Sequence, residues 1–288
     1  MYALLVEPFA EFEFMRRALV GVVAIALGGA PVGVFLMLRR MSLAGDAMAH
    51  AILPGAAIGY LLAGLSLPAM TAGGIAAGLL VALLAGAVTR LTALKEDAAL
   101  AAFYLLSLAL GVTLVSLRGS NVDLLHVLFG SVLALDDGAL LLLAGIASVT
   151  LLALALLYRP LVLECVDPAF LRSVSRGAAP THLLFLALVV LNLVAGFQAL
   201  GTLLAVGIIM LPAVASRFWS TGVAGMGAAA TGLALLSGIA GLLASYHFGL
   251  PAGPAIVLAA GLACLLSLVA GPRDGLLRLA WKGRHLNA

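Results

Sequence analysis

Long stretches without a charged side chain constrain this chain most. Ala18 to Leu38 contains none over about 21 residues, and a helix needs about 20 apolar residues to cross a bilayer. Ala47 to Thr89 also lacks charge and has a break at Gly64 to Pro68. Of all residues, 64% are hydrophobic and only 9% are charged, against roughly 25% charged in soluble domains. The sequence therefore predicts an all-α integral membrane protein.

The apolar stretches together predict a bundle of about nine transmembrane helices, with eight as the alternative. The predicted spans cover residues 18–38, 45–64, 69–90, 98–117, 138–158, 181–216, 220–246 and 252–270. The 181–216 stretch is too long for one helix, and Gly196, Gln198 and Gly201 near its middle predict a break into two helices. Little sequence remains for a separate domain, so residues 1–288 are interpreted as one transmembrane domain.

The basic residues indicate which helix ends face the cytoplasm. All but three of the fifteen Lys and Arg residues fall in connections on one side of the predicted bundle, and the exceptions are Arg16, Arg17 and Arg118. The positive-inside rule assigns that side to the cytoplasm, so the amino terminus is expected outside and the carboxyl terminus inside. Residues 159–180 are then a cytoplasmic loop and residues 272–288 a cytoplasmic tail.

The first residues, 1–15, combine leucines and phenylalanines with Glu7, Glu11 and Glu13. Such a mixture is typical of a short helix that lies along the membrane interface, in contact with lipid. A frayed terminus fits this composition equally well.

Several function classes are excluded or disfavoured by the sequence. The formal net charge of +3 is spread over the connections rather than gathered in one patch, which argues against a nucleic-acid partner. Cys165 and Cys264 lie far apart, so a disulfide is not expected. The chain has no phosphate-binding loop that ends in Gly-Lys-Ser/Thr, and no His-Glu-x-x-His pair. It is therefore not expected to be an enzyme.

Asp46 and His50 are four residues apart in an otherwise apolar stretch. On a helix this spacing places both side chains on one face, and a carboxylate with a neutral imidazole suits a divalent first-row metal ion. By spacing alone, Asp46 could equally be a helix cap, with His50 a core residue. Pro54 favours the metal site, because it removes the hydrogen bond to the carbonyl of residue 50 and predicts a kink there.

The surrounding residues, 39–55, read RRMSLAGDAMAHAILPG. This run resembles the signature of the zinc/manganese ABC importer permeases, the ABC-3 family. Further blocks of similarity follow in family order along nearly the whole chain. They lie at residues 96–97, 122–125, 128–130, 158–161, 167–168, 198–204, 211–217 and 250–254. One block could arise by chance, but the series could not.

The resemblance implies a permease with the architecture of the cobalamin and siderophore importers, in the bacterial cytoplasmic (inner) membrane. It implies a homodimer, two cytoplasmic ATPase subunits that hydrolyse ATP, and an extracytoplasmic metal-binding protein that delivers the cargo. The family's pathway ligands carry over onto Asp46 and His50. The expected function is import of Zn²⁺ or Mn²⁺, with zinc preferred over manganese, and no permanently bound cofactor is expected.

The loop that follows residue 159 contains a helix-start signal, because Asp167 can cap the helix and Pro168 suits its first position. By resemblance, the short helix from Asp167 to Gly177 docks into a groove on the ATPase. Phe170, Leu171 and Arg172 are the expected coupling residues within it.

Two further histidines depart from the family pattern. His126 lies in the apolar patch from Leu124 to Phe129, where a short surface or re-entrant helix is expected, and His247 lies between the last two spans. They could assist the arrival of metal from outside, although ordinary interface histidines explain them more simply.

Two other transport functions remain open at this point. A permease for larger chelates, such as siderophores or cobalamin, would have the same architecture but a wide pathway without metal ligands. An ion-coupled secondary transporter would use an intramembrane aspartate as its coupling site. Uptake that persists without an ATPase partner would favour the second of these.

Overall fold

A computed structural model of the chain describes residues 5–42, 44–64, 66–117, 132–167, 170–171, 173, 178–273 and 275–278. All the regular structure within these ranges is helical. The helices, in chain order, are α1 (Glu7–Glu11), α2 (Glu13–Leu38), α3 (Ala44–Ala51), α4 (Leu53–Ala63), α5 (Leu67–Leu91), α6 (Glu96–Leu117), α7 (Asp137–Val166), α8 (Ala178–Leu200), α9 (Thr202–Ser216), α10 (Val223–Phe248) and α11 (Ala252–Ala270).

The predicted helical membrane bundle is confirmed. Eight segments of the described residues are long and apolar enough to cross a membrane, with α3 and α4 together forming one of them. The helix α9 is also apolar but, at 15 residues, is shorter than these eight. The helix predicted around residues 124–129 lies outside the described residues.

The predicted break in the 181–216 stretch is also confirmed, and it falls at Gly201. This residue has a φ of 93°, a backbone conformation that favours glycine. A Cβ atom on Gly196 would lie only 2.7 Å from Cβ of Ala205. These residues would be about 13 Å apart on one straight helix, so α9 folds back against α8.

Contacts between helix ends agree with the sidedness inferred from the basic residues. Arg39, after α2, forms an ion pair of 2.7 Å with Glu164 near the end of α7. At the other ends of the same two helices, Arg17 lies 3.2 Å from Asp137. The two helices therefore run side by side in the same direction, and Arg39 belongs to the side expected to be cytoplasmic.

The predicted end of the fifth span at residue 158 is wrong, because α7 continues through Arg159 and Pro160 to Val166. Leu161, just past the proline, is completely buried. Burial of this apolar turn offsets the hydrogen bond that a proline inside a helix removes. The non-helical connection therefore begins at Asp167 and not at residue 159.

The helices differ in how much of their surface the bundle covers. Within the spanning windows of α2 and α8, 72% of the residues are buried, whereas the figure for α6 and α7 is 22%. The first two helices form the centre of the bundle, and the last two present apolar side chains outward. The segment formed by α3 and α4 is intermediate.

Small residues allow the helix backbones to approach closely. A Cβ atom on Gly55 of α4 would collide with the carbonyl oxygen of Gly73 on α5. One turn later, a Cβ atom on Gly59 would collide with the backbone at Ala69. The helices α4 and α5 therefore pack backbone against backbone.

We expect the substitution Gly55→Val to destabilise the permease by at least about 1–3 kcal/mol, because an added side chain must push two helix backbones apart. Thermal unfolding of the purified protein in detergent measures the effect. Gly86→Val is the matched control, since a Cβ atom on Gly86 of α5 meets nothing within 4 Å. Equal melting temperatures for the two variants would contradict the packing described here.

Candidate functional site

The helix that carries Asp46 and His50 is broken where the sequence predicts a kink. α3 ends at Ala51, Ile52 forms a turn, and α4 begins at Leu53. Pro54 then occupies the first turn of α4, where a missing N–H is tolerated. The break therefore lies two residues after His50, with only Ile52 between the two helices.

A neighbouring helix, α6, packs along this break through three residues. Ser107 donates a hydrogen bond of 2.9 Å from its hydroxyl to the carbonyl oxygen of Ala51. The ring of Tyr104 stacks on that of His50, with centroids 6.2 Å apart and an angle of 29°. A Cβ atom on Gly111 would lie 3.0 Å from the nitrogen of Pro54. The spacing of the three residues places them on one face of α6.

These three residues were missed in the sequence analysis. Each is an ordinary residue of an apolar span, and nothing in the local pattern connects Tyr104, Ser107 or Gly111 to the Asp46 segment. The sequence held only a weak signal, because Ser107 and Gly111 are four residues apart in an otherwise apolar helix. Small residues at this spacing often lie at contacts between membrane helices.

Ser107→Ala should destabilise the permease by about 1–3 kcal/mol, because it removes the donor to a buried carbonyl at the break. Thr113→Ala is the control on the same helix, since that exposed hydroxyl donates within its own helix to Ala109. Thermal unfolding in detergent compares them. If Ser107→Ala unfolds at the wild-type temperature, the hydrogen bond does not stabilise the break.

Asp46 and His50 lie side by side, as their spacing predicts. The distance between Oδ1 of Asp46 and Nε2 of His50 is 3.8 Å. Two ligand atoms, each about 2.1 Å from one metal ion, can be up to about 4.2 Å apart. The pair can therefore bind a single divalent ion between its two side chains.

The two side chains differ in their surroundings. The Asp46 side chain is 62% exposed and that of His50 is 33% exposed. Within the described residues, Nδ1 of His50 is buried and has no hydrogen-bond partner. Nε2 is therefore the nitrogen that faces Asp46 and is placed to bind an ion.

The structure also bears on the alternative that Asp46 caps the helix. α3 begins at Ala44, so Asp46 is its third residue and lies inside the first turn. Its carboxylate is therefore on the helix face shared with His50 rather than at the capping position. The arrangement favours the metal site over the capping interpretation.

The depth of the pair follows from the contact with α6. His50 stacks on Tyr104, which lies eight residues after the start of α6 and hence about 12 Å along its axis. The helix α6 has 22 residues and is about 33 Å long. The pair therefore lies closer to the start of α6 than to its end.

The helix face of α3 opposite Asp46 is packed against the rest of the bundle. A Cβ atom on Gly45 would lie 3.2 Å from Cε of Met210 on α9, and the Met48 and Ile52 side chains are completely buried. Since an ionised carboxylate is costly against lipid, the exposed side of Asp46 is suited to water or to another protein surface.

Of the two additional histidines, His247 is not brought to this pair. His247 is exposed in the last turn of α10, at the outer end of the bundle, and its ring contacts Tyr246. His126 lies outside the described residues. Among the residues that the structure does describe, no group of three or more His, Cys, Asp and Glu side chains converges as a metal site would require.

A cavity of about 530 Å³ lies at the outer end of the bundle. It is lined by Glu13, Phe14, Arg17, Leu133, Leu135 and Asp136. Arg17 forms ion pairs there with Glu13, at 2.8 Å, and with Asp137. This cavity is at the opposite end of the bundle from His50 and is separate from the candidate site.

The expected coupling segment starts as the sequence predicts. The amide of Phe170 donates a hydrogen bond of 2.9 Å to Oδ1 of Asp167, so Asp167 caps the turn that follows it. The Leu171 side chain is buried, whereas half of Phe170 is exposed. Phe170 is therefore available to a partner. Pro168 and Arg172 lie outside the described residues.

Comparison with known proteins agrees with this arrangement. The model of the family described as "ABC 3 transport family" matches residues 11–271. This chain belongs to the ABC 3 transport family. It is 33% identical to the manganese import system permease protein ScaB of Streptococcus parasanguinis, over 93% of this chain and 95% of that protein. It is 31% identical to the manganese transport system membrane protein MntC of Halalkalibacterium halodurans, over 97% and 94% of the two chains.

Solved structures give the same result for the fold of this ABC 3 permease. A chain of PsaBC from Streptococcus pneumoniae, in complex with Fab, superposes with a TM-score of 0.84 at 30% identity. The match covers 97% of this chain and all of that one. A metal-chelate type ABC transporter in an inward-facing conformation has a TM-score of 0.64 at 18% identity, over 87% and 84% of the two chains, and this likeness supports the fold alone.

Membership of the ABC 3 family defines the class of the protein. The chain is the permease subunit of an ABC metal importer and a multi-pass protein of the bacterial cytoplasmic membrane. It is a transport subunit rather than an enzyme, and ATP hydrolysis belongs to a separate subunit.

Proposed function

We propose that this ABC 3 permease imports Mn²⁺ and that Asp46 and His50 bind the ion as it passes. The observation that carries the proposal is the 3.8 Å separation of their ligand atoms within a broken membrane helix. A carboxylate oxygen and an imidazole nitrogen suit a divalent first-row ion. The ion would be held only transiently, because a tight closed cage of ligands could not release it.

The choice of manganese rests on the relatives. Zinc was the cargo preferred from the sequence, but ScaB and MntC are named as manganese permeases, and these names give that preference no support. The donor pair itself is compatible with either ion, because imidazole suits zinc and a carboxylate suits manganese. Zn²⁺ is therefore the competing cargo that a transport assay must test.

We further propose that the permease acts as a homodimer. The exposed side of Asp46 lies within a membrane span, where contact with lipid would be costly. A second copy related by two-fold symmetry would cover this side and contribute the same two ligands. Up to four side chains could then surround one ion near the dimer axis.

The variants Asp46→Asn and His50→Ala should abolish manganese uptake, because the first removes the negative charge of the carboxylate and the second removes the imidazole, while the permease still assembles with its ATPase. Uptake of ⁵⁴Mn²⁺ into vesicles that contain the full importer measures the first effect, and co-purification measures the second. Zn²⁺ as a competitor in the same assay determines the preferred ion.

Glu11→Gln is the control, because it removes an exposed carboxylate at the outer end of the bundle and should leave uptake unchanged. Normal uptake by both Asp46→Asn and His50→Ala would refute the proposed site. Uptake of an intact chelate by the same vesicles would favour the chelate permease instead. The ABC 3 family match already disfavours an ion-coupled secondary transporter.

We propose that the segment from residue 167 to 177 couples the permease to its ATPase. It follows α7 on the side of the bundle that carries Arg39, and its Phe170 side chain is half exposed. An exposed aromatic residue next to a buried leucine is a suitable anchor for a pocket on a partner.

Phe170→Ala should weaken association with the ATPase subunit by about 2 kcal/mol or more, as is typical when an aromatic anchor is truncated. Binding of the ATPase to the permease in nanodiscs measures this. Phe248→Ala is the control, because Phe248 is an exposed aromatic residue at the outer end of α10. Equal ATPase affinity for the two variants would contradict the proposed docking.

The remaining parts of the chain fit the same scheme. We propose that an extracytoplasmic metal-binding protein delivers the ion to the outer face, where His126 and His247 could assist its arrival. Residues 1–15 are proposed to lie at the outer membrane interface and residues 272–288 to form a cytoplasmic tail, with the whole chain acting as one permease domain.

A further inference from the structure

A buried ionic cluster lies at the cytoplasmic side of the bundle and has no part in the metal site. The Arg39 side chain is only 6% exposed, and its Nη2 donates to Oε2 of Glu164 at 2.7 Å. Nδ1 of His182 lies 3.3 Å from Nη1 of Arg39 and 3.2 Å from Oε1 of Glu164. The guanidinium group also stacks over the Phe185 ring, 4.1 Å from its centroid.

The position of this Arg39 cluster in the chain connects two functional segments. Glu164 lies in the last turn of α7, three residues before Asp167, and His182 lies in the first turns of α8. The two residues therefore flank the proposed coupling segment on either side. Arg39 directly follows α2 and precedes the turn that leads into α3.

Backbone hydrogen bonds connect the described residues of that turn. Arg40 has a φ of 60°, the amide of Met41 donates to the carbonyl of Leu36 at 2.9 Å, and the amide of Ala44 donates to that of Met41 at 3.0 Å. Arg39 lies only five residues before Ala44, where α3 begins. Asp46 is the third residue of that helix.

The cluster is not explained by stability alone. The desolvation of a buried ion pair cancels much of the free energy gained from its electrostatic attraction. A protein with an apolar replacement of similar volume is therefore often as stable. Within the described residues, Nε of Arg39 is buried and has no hydrogen-bond partner. A guanidinium group with an unused donor can form a different set of hydrogen bonds in another conformation.

We propose that Arg39, Glu164 and His182 are positioning residues that transmit movement of the coupling segment to the helix that carries Asp46 and His50. Displacement of the coupling segment by the ATPase would move Glu164 and His182. Through Arg39 and the turn after it, this movement would shift the start of α3 and change the geometry of the metal pair. The inference rests on the proposed function of both segments.

The test uses the reconstituted importer with its ATPase and binding protein, and it measures the number of Mn²⁺ ions imported per ATP hydrolysed. Glu164→Gln and Arg39→Lys should lower this ratio at least about fivefold. This is the smallest change that typical coupling free energies between two sites produce. Binding of Mn²⁺ to the permease and co-purification with the ATPase should stay at wild-type levels. Glu13→Gln, which breaks the exposed ion pair with Arg17, should not change the ratio.

A double variant separates transmission from a structural role. Arg39→Leu with Glu164→Leu replaces the buried pair by apolar side chains, which should preserve folding and assembly. If the cluster transmits movement, the double variant assembles but stays uncoupled. If it couples normally, or if all the cluster variants fail to assemble, the cluster is only structural and the inference is overturned.

Failure of the proposed function would give a different result. In that case the wild-type importer itself would show no Mn²⁺ uptake, or its ATPase would bind equally well to Phe170→Ala. A wild-type importer that works, together with Glu164→Gln and Arg39→Lys variants that couple normally, would refute the inference and leave the proposed function intact.

Discussion

The hydrogen bond from Ser107 to the carbonyl of Ala51 makes a broken helix tolerable within the membrane. In a bilayer, a backbone carbonyl that leaves the helical pattern has no water to bind, so protein must supply the donor. α6 supplies it at 2.9 Å and packs Gly111 against Pro54 on the same face. His50, two residues before the break, is thereby fixed against Tyr104.

This arrangement depends in turn on close helix packing. Gly55 and Gly59 bring α4 into backbone contact with α5 just after the break, and Met48 and Ile52 are buried on the inner side of the segment. Among the described residues of α3, Asp46 alone is exposed and His50 is half-buried, whereas the others are buried. The bundle therefore exposes its carboxylate in one direction, and this is the property on which the proposed metal pathway and second copy depend.

The cytoplasmic side of the bundle shows a different kind of contact. There the buried pair of Arg39 and Glu164 connects α2 with α7, whereas the centre of the bundle is packed by apolar and small residues. A buried charged pair has a strong directional preference, because its desolvation is compensated only in good geometry. Such a contact is suited to a position where two segments must move together, as the proposed link between coupling segment and metal helix requires.

The sequence by itself determined the membrane class, most of the span limits and the pairing of Asp46 with His50, because these follow from apolar length and helical spacing. The sidedness remains a prediction from the basic residues. The kink at Pro54 and the break at Gly201 were also local, since each depends on the backbone of one residue. The end of α7 at Val166 does not follow from local sequence, because the burial of Leu161 outweighs the loss of a hydrogen bond at Pro160. Only the tertiary structure brought Ser107 to Ala51, 56 residues away, and Glu164 to Arg39, 125 residues away, because such contacts arise from how helices pack and leave no periodic pattern in the sequence.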